Sequence, residues 1–217
     1  MRLIAFLVGY LIIGFARFIT AVRGLWPYQP PTDTQTIYFA NHTSNGDFIL
    51  LWATLPPRLR WKTRPVAAAD YWLTSRIRTY IGRSVINAVL IDRRPEARDQ
   101  DPVDQMVKAL DCGASLIIFP EGKRNDTGTP LLPFKTGIFH MASKRPNIRL
   151  VPVWIENLNR ALPRGEYIPV PYICTVTFGA PIHLQTSETK TQFLTRAQDA
   201  VLALSPTNAG PTNAGPT

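Results

Sequence analysis

From Thr36 onward the chain alternates short, β-branched apolar runs with helical stretches, and few architectures accommodate that pattern. The runs Thr36–Ala40, Val66–Ala69, Ile86–Ile91, Ser115–Phe119, Leu150–Ile155 and Ile173–Phe178 have the length and composition of strands. Asp47–Leu55, Asp101–Gly113, Thr136–Lys144 and Ser187–Leu204 read as helices. The second of these opens on Asp101-Pro102, an N-cap followed by proline at the first helical position. Near-continuous apolar runs belong to strands covered on both faces. The expectation is a single α/β domain over residues 33–204, with a mixed, mostly parallel sheet flanked by helices.

Ahead of this domain, Leu3–Val22 is apolar apart from glycine, threonine and the single charge of Arg17. Twenty such residues match the ~30 Å thickness of a bilayer core. Arg17 stands near the C-terminal end, where a long side chain reaches the headgroups. The stretch runs on into Arg23-Gly24 with no small-residue cleavage site, so residues 1–26 read as a retained membrane anchor preceding the catalytic unit. Sequence alone leaves open whether this helix spans the membrane, lies in its interface or is a core helix. Trp26 and Tyr28 suit an interfacial belt, and Pro27, Pro30 and Pro31 mark a linker. Residues 205–217, with Pro-Thr-Asn-Ala-Gly at 206 and again at 211, read as a disordered tail.

The net charge of +9 points to an anionic partner. Residues 56–100 hold ten basic and four acidic side chains, with Trp61, Tyr71 and Trp72 among them. Aromatic rings beside arginines suit a lipid headgroup layer or stacked bases. No helix-turn-helix, zinc finger or RNA-binding signature accompanies them, and the apolar leader favours anionic membrane lipids over nucleic acid as the partner. Cys112 and Cys174 are too few for a disulfide framework and lack zinc-type spacing, so they read as thiols and no metal is expected.

Two segments carry chemistry. In Asn41-His42-Thr43-Ser44-Asn45-Gly46-Asp47, at a strand-to-helix junction, His42 is suited to move a proton near neutral pH. A carboxylate on the other ring nitrogen, Asp47 if the turn folds back, would fix its tautomer and stabilise the imidazolium. In Phe119-Pro120-Glu121-Gly122-Lys123-Arg124-Asn125, again after a strand, a glycine and two cations suit a phosphate, which Arg124 can hold with two parallel bonds. His140 and His183 have no charged partner at useful spacing and read as structural. Lys135, before a helix, reads equally as a surface lysine or as one facing the phosphate.

In this order, the two segments resemble the glycerolipid acyltransferase family, whose signature is His, four residues, Asp, and later Phe-Pro-Glu-Gly. Ile91-Asp92-Arg93 resembles the family's arginine-ending segment, and Val151-Pro152-Val153 its short final one. The resemblance runs from about Asn41 to Pro181. It implies His42 as general base with Asp47 as its partner, and Arg93, Glu121, Gly122, Lys123 and Arg124 around the acceptor's phosphate. The acceptor it implies is 1-acyl-sn-glycerol-3-phosphate or another lysolipid. The acyl donor it implies is acyl-coenzyme A or acyl carrier protein, a co-substrate, with no cofactor. The location it implies is a bacterial inner membrane, with the catalytic domain on the cytoplasmic side. An anion beside a phosphate needs a separate reason, so Glu121 is expected to order the loop or bond an acceptor hydroxyl. Two departures bear on acceptor identity: Lys123 stands where many members have threonine, and Val66–Asp70 lacks a lysine many members carry there. A serine hydrolase using Ser44 is the nearest enzymatic rival, and the chain has no Gly-x-Ser-x-Gly elbow.

Overall fold

The computed structural model describes residues 2–92, 94, 100–156 and 173–206. A seven-stranded sheet has the order β1-β7-β6-β2-β5-β3-β4. The strands are β1 (Arg23–Leu25), β2 (Thr36–Ala40), β3 (Thr63–Ala68), β4 (Val89–Ile91), β5 (Ser115–Ile118), β6 (Arg149–Glu156) and β7 (Thr175–Phe178). Strands β2 to β6 are mutually parallel, while β7 runs antiparallel to β6 and β1 runs with β7. This is the mixed, mostly parallel α/β domain expected from the alternation.

In the central strand β2 the four residues after Thr36 serve two cores. Ile37 and Phe39 face a core shared with α6 (Pro102–Asp111), α7 (Gly137–Lys144) and α8 (Lys190–Leu202). Tyr38 and Ala40 face the opposite core, built with α1 (Arg2–Thr20) and α2 (Asp47–Thr54). Alternate residues of one strand therefore fill two cores, and the buried hydroxyl of Thr36 at its start is satisfied by the Thr34 carbonyl. Asp101 caps α6 by accepting the amides of Val103 and Asp104, and a reciprocal Thr189–Gln192 box opens α8.

Three short helices between β2 and β4 were not visible in the sequence: α3 (Pro57–Arg60), α4 (Ala69–Trp72) and α5 (Arg76–Tyr80), the last running into a π-helical turn at Ile81–Val85. Each is too brief for an apolar period to register. Strand β1 was also missed, because three exposed residues carry no burial pattern. It ties the segment after α1 into the sheet edge, through Arg23 N–H to the Cys174 carbonyl at 3.1 Å. The prolines read as a linker therefore follow a segment already in the sheet.

Helix α1 docks on this body through a narrow stripe, Ala5, Gly9, Ile13 and Thr20, spaced to recur on one side of a helix. Gly9 sits against Trp61, so close that an added Cβ would stand 2.7 Å from the indole. Val8, Ile12 and Ala16 are half-buried beside the stripe, while Leu7, Leu11, Phe15 and Phe18 are exposed. It is the one helix among the described residues long and apolar enough to cross a membrane. Ser205 is still packed against the body, and residues 207–217 lie outside the described residues.

Candidate active site

Strands β2 and β5 are adjacent and parallel, with Phe39 beside Ile118, so the segments following them leave the sheet side by side at one edge. A parallel sheet offers its ligand site at this carboxyl edge. His42 follows β2 and Glu121 follows β5. The structure clips the two segments together through the backbone of His42: its N–H donates to Glu121 Oε1 at 2.7 Å, and its carbonyl accepts from Asn125 N–H at 2.6 Å. Lys123 and Arg124 lie on the short arc between these two bonds, Lys123 exposed and Arg124 half-buried.

The dyad forms. His42 Nδ1 lies 2.9 Å from Asp47 Oδ2. That oxygen also accepts the amides of Thr43 at 2.7 Å and Ser44 at 2.8 Å. With two N–H donors already aimed at it, Oδ2 must remain an acceptor, so Nδ1 carries the proton and Nε2 presents its lone pair. Asp47 is completely buried at the first turn of α2, where the helix dipole favours a negative charge. The His42 side chain retains 19% exposure and stacks on Phe119, ring centroids 4.3 Å apart. Ser44 is buried and its hydroxyl accepts the Gly46 amide at 3.3 Å, and among the described residues no hydrogen bond joins that hydroxyl to the His42 ring as a hydrolase would need.

The far end of α2 is held as firmly. The guanidinium of buried Arg60 donates to the carbonyls of Trp52, Ala53 and Leu55, and Arg17 of α1 adds a second bond to Ala53. These carbonyls at the helix's C-terminal end have no partner within the helix, so cations there offset both the missing bonds and the dipole. Burial, and then the nearby charge of Arg17, lowers the Arg60 pKa from its ordinary value. The basic residues of segment 56–100 therefore divide, since Arg60 serves the interior rather than a partner.

Glu121 is buried, and both carboxylate oxygens take backbone amides: Oε1 that of His42 and Oε2 that of Leu132 at 2.9 Å. It orders the loop, as one of the two readings expected. Burial pushes its pKa up, and the amides of Leu132 and His42 pull against that shift. Gly122 follows with φ +71°, a conformation side chains rarely adopt, and the Lys135 tail crosses its face where a Cβ would stand 2.5 Å from Lys135 Cε. Lys135 is therefore an exposed lysine whose tail lies over the Gly122 turn, and the two placements open from sequence coincide. Arg93 lies outside the described residues. His140 and His183 are exposed and away from these contacts. Asn41 was not singled out beforehand: its side chain donates to and accepts from Ile155, at 2.9 and 2.7 Å, fastening the start of the loop to β6. An asparagine directly after a buried strand was the available signal.

A family model described as Acyltransferase matches residues 27–156, more than half of the chain, and includes every candidate residue above. Among curated proteins, the chain is 26% identical over 159 residues to the 1-acyl-sn-glycerol-3-phosphate acyltransferase of Haemophilus influenzae, covering 69% of this chain and 60% of that protein. It is 31% identical over 151 residues to the protein of the same name from Escherichia coli, covering 61% and 55%. The chain thus spans little more than half the length of the curated relatives it matches. The crystal structure of the 1-acyl-sn-glycerophosphate acyltransferase from Thermotoga maritima superposes with a TM-score of 0.71 at 19% identity, over 95% of this chain and 82% of that one, which establishes a shared fold. The family model spans the residues of both motifs over more than half of the chain, and the chain belongs to the acyltransferase family.

Proposed function

We propose that the protein transfers a fatty acyl group from an acyl thioester to the free hydroxyl of a lysophospholipid, with 1-acyl-sn-glycerol-3-phosphate as acceptor and phosphatidic acid as product. The observation that carries this reading is the His42–Asp47 dyad, clipped through the His42 backbone to the loop bearing Lys123 and Arg124. The relatives' names supply the acceptor, and the cations beside the base suit its phosphate.

The chemistry closes on these residues. His42 Nε2 accepts the hydroxyl proton as the alcohol oxygen bonds to the thioester carbonyl carbon. The tetrahedral oxyanion expels the thiolate, which takes the proton back from the imidazolium and leaves as thiol. One C–O bond forms, one C–S bond breaks, and no acyl-enzyme is needed because a thioester is already activated. General-base assistance of this kind contributes ~10²–10⁴-fold. Acyl-coenzyme A and acyl carrier protein both present the required thioester.

Helix α1 rests along the domain by its Ala5–Gly9–Ile13 stripe and turns Leu7, Leu11, Phe15 and Phe18 outward. A helix packed along its length on a folded body is placed to lie in the membrane interface, which would bring the site to its lipid substrate. The free thiols of Cys112 and Cys174 fit a reducing, cytoplasmic side.

The deciding experiment incubates detergent-solubilised protein with labelled acyl-coenzyme A or acyl carrier protein and a panel of lysolipids, beside His42→Ala. A labelled diacyl product that depends on His42 is expected, with lysophosphatidate the best acceptor. Thioester hydrolysis without transfer, or transfer undiminished in His42→Ala, would overturn the reading.

A further inference from the structure

We infer that the α4–α5 segment is a second membrane-docking element, separate from α1, which inserts Leu73 and Ile77 into an anionic phospholipid bilayer and receives a lipid phosphate between Arg76 and Arg83. The inference rests on the reading above that the protein works at a membrane.

The segment Leu73–Arg78 is exposed without interruption, and Ile77 reaches 73% exposure, which no requirement of the fold explains. Tyr71 and Leu73 are exposed beside it. Isolated apolar residues on a surface are ordinary, whereas three from the end of α4 to the first turn of α5, with Arg76 and Arg78 among them, are an interfacial pattern. From Tyr71 to Ile91 the chain contains Arg76, Arg78 and Arg83 and no acidic residue. Among the described residues no ion pair holds Arg76 or Arg83. Between them runs an open groove of about 510 Å³ whose polar lining includes Thr74, Ser75, Thr79 and Ser84. The Thr74 and Thr79 hydroxyls donate to the Tyr71 and Trp72 carbonyls, which leaves two guanidinium groups and the Ser75 and Ser84 hydroxyls, with no carboxylate, to meet the oxygens of a phosphodiester. Arg78 is committed otherwise: it lies over the Tyr71 ring at 4.6 Å and donates to Thr74, which keeps the turn in shape.

Position supports the same occupant. The π-helical turn that continues α5 packs in the same core as α1, with Val85 beside Gly9, so both elements belong to one layer of the molecule. Helix α4 begins where β3 ends, next to the strand that leads to Glu121, and Trp72 meets Phe48, the residue after Asp47, edge to face at 5.9 Å. Docking here would hold the mouth of the site against the bilayer at a second point, and two points fix an orientation that one helix leaves free to roll.

The test uses the full chain with Cys112→Ser, since Cys174 is buried, and places an environment-sensitive nitrobenzoxadiazole label at Ile77→Cys, Leu11→Cys or Ser143→Cys. With vesicles of phosphatidylcholine and phosphatidylglycerol, labels at 77 and 11 should shift to the blue and brighten, while the label at 143 should not. A shift at 11 without one at 77 overturns the second element and leaves the membrane reading standing. No shift at either position removes both. Arg76→Gln with Arg83→Gln should lower partitioning onto the anionic vesicles by about 30-fold, from roughly fivefold per surface arginine, with little change on pure phosphatidylcholine. Unchanged partitioning of that double variant would overturn the phosphate site. Acyl transfer to lysolipid dispersed in detergent should persist in Ile77→Ser, and its loss there would mean that the segment serves the chemistry rather than docking.

Discussion

Replacing Asp47 with asparagine separates two roles that the carboxylate combines. The amides of Thr43 and Ser44 both point at Oδ2, so an asparagine can place only its carbonyl oxygen there; its NH₂ would face two N–H donors otherwise. The carbonyl therefore still accepts from His42 Nδ1, and the tautomer with Nε2 unprotonated is retained. What disappears is the charge. A hydrogen bond to a charged group contributes about 1.5–3 kcal/mol and one to a neutral group about 0.5–1.5, so the imidazolium formed in the reaction loses about 1–2 kcal/mol of stabilisation. This corresponds to a fall in kcat of roughly 5–30-fold. Removing the base in His42→Ala should cost ~10²–10⁴-fold, and a dyad whose tautomer flips loses ~10⁴-fold. The displaced NH₂ would take the place of Oδ1, which meets no partner among the described residues, at about 1–3 kcal/mol of stability. The assay is single-turnover acyl transfer, with the thermal midpoint confirming the fold. A loss as deep as that of His42→Ala in a folded protein would refute the pinning by the two amides; a wild-type rate would refute any part for the carboxylate.

Other perturbations address the scaffold. In Glu121→Gln an NH₂ must face either the His42 or the Leu132 amide, so stability should fall by about 1–3 kcal/mol in urea unfolding, and kcat should fall with it as the His42 backbone shifts. Because burial raises the Glu121 pKa, the folded protein holds a proton there at pH values where the unfolded chain has released it. The stability of wild type relative to Glu121→Gln should therefore decline as pH rises from the ordinary carboxylate value through the raised one, then level off; a rise across that window would contradict the burial argument. Gly122→Ala should cost about 1–2 kcal/mol for the left-handed backbone alone, and should raise KM for the lysolipid more than it lowers kcat, because the turn it distorts carries Lys123 and Arg124. Arg60→Met strips the Trp52 and Leu55 carbonyls of their donor while Arg17 still serves Ala53, so a loss of at least about 2 kcal/mol in chemical unfolding is expected, and a neutral outcome would show that water replaces the guanidinium.

Much of this site was legible because its components announce themselves locally. His42 and Asp47 are five positions apart, a spacing that by itself is more often a capped loop, and it is the second motif in the family's order that marks them as a pair. Glu121 and Gly122 share one short motif. The rest depends on pairs distant in sequence. Glu121 was readable as an ordering group only in outline, since its partners are the amides of His42 and Leu132, and a backbone amide has no sequence signature. Arg60 looked like one more cation in a basic segment, and nothing in its neighbours reveals that it turns inward onto the end of α2. Similarly, β1 is a strand only because β7 lies beside it, and its own three residues show no pattern. Local periodicity identifies elements that bury a face, and misses those made by pairing alone.

The same contrast explains why the dyad is built into backbone rather than side-chain contacts. Asp47 accepts two amides, Glu121 accepts two, and the His42 carbonyl accepts the Asn125 N–H, so five main-chain bonds fix the Asp47 and Glu121 carboxylates and the cation-bearing arc. Main-chain donors have no rotamers to lose, which makes this clamp less costly in entropy than one of long side chains. It also leaves Lys123, Arg124 and Lys135, whose own tails are flexible, as the parts of the site that can adapt to an acceptor. Changes of headgroup preference should therefore arise from substitutions at 123, 124 and 135 with the proton-transfer geometry intact. The expected signature is an altered KM across a lysolipid panel with kcat nearly constant, and a coupled fall of kcat in Lys123→Thr would show that the arc and the base are not mechanically separate.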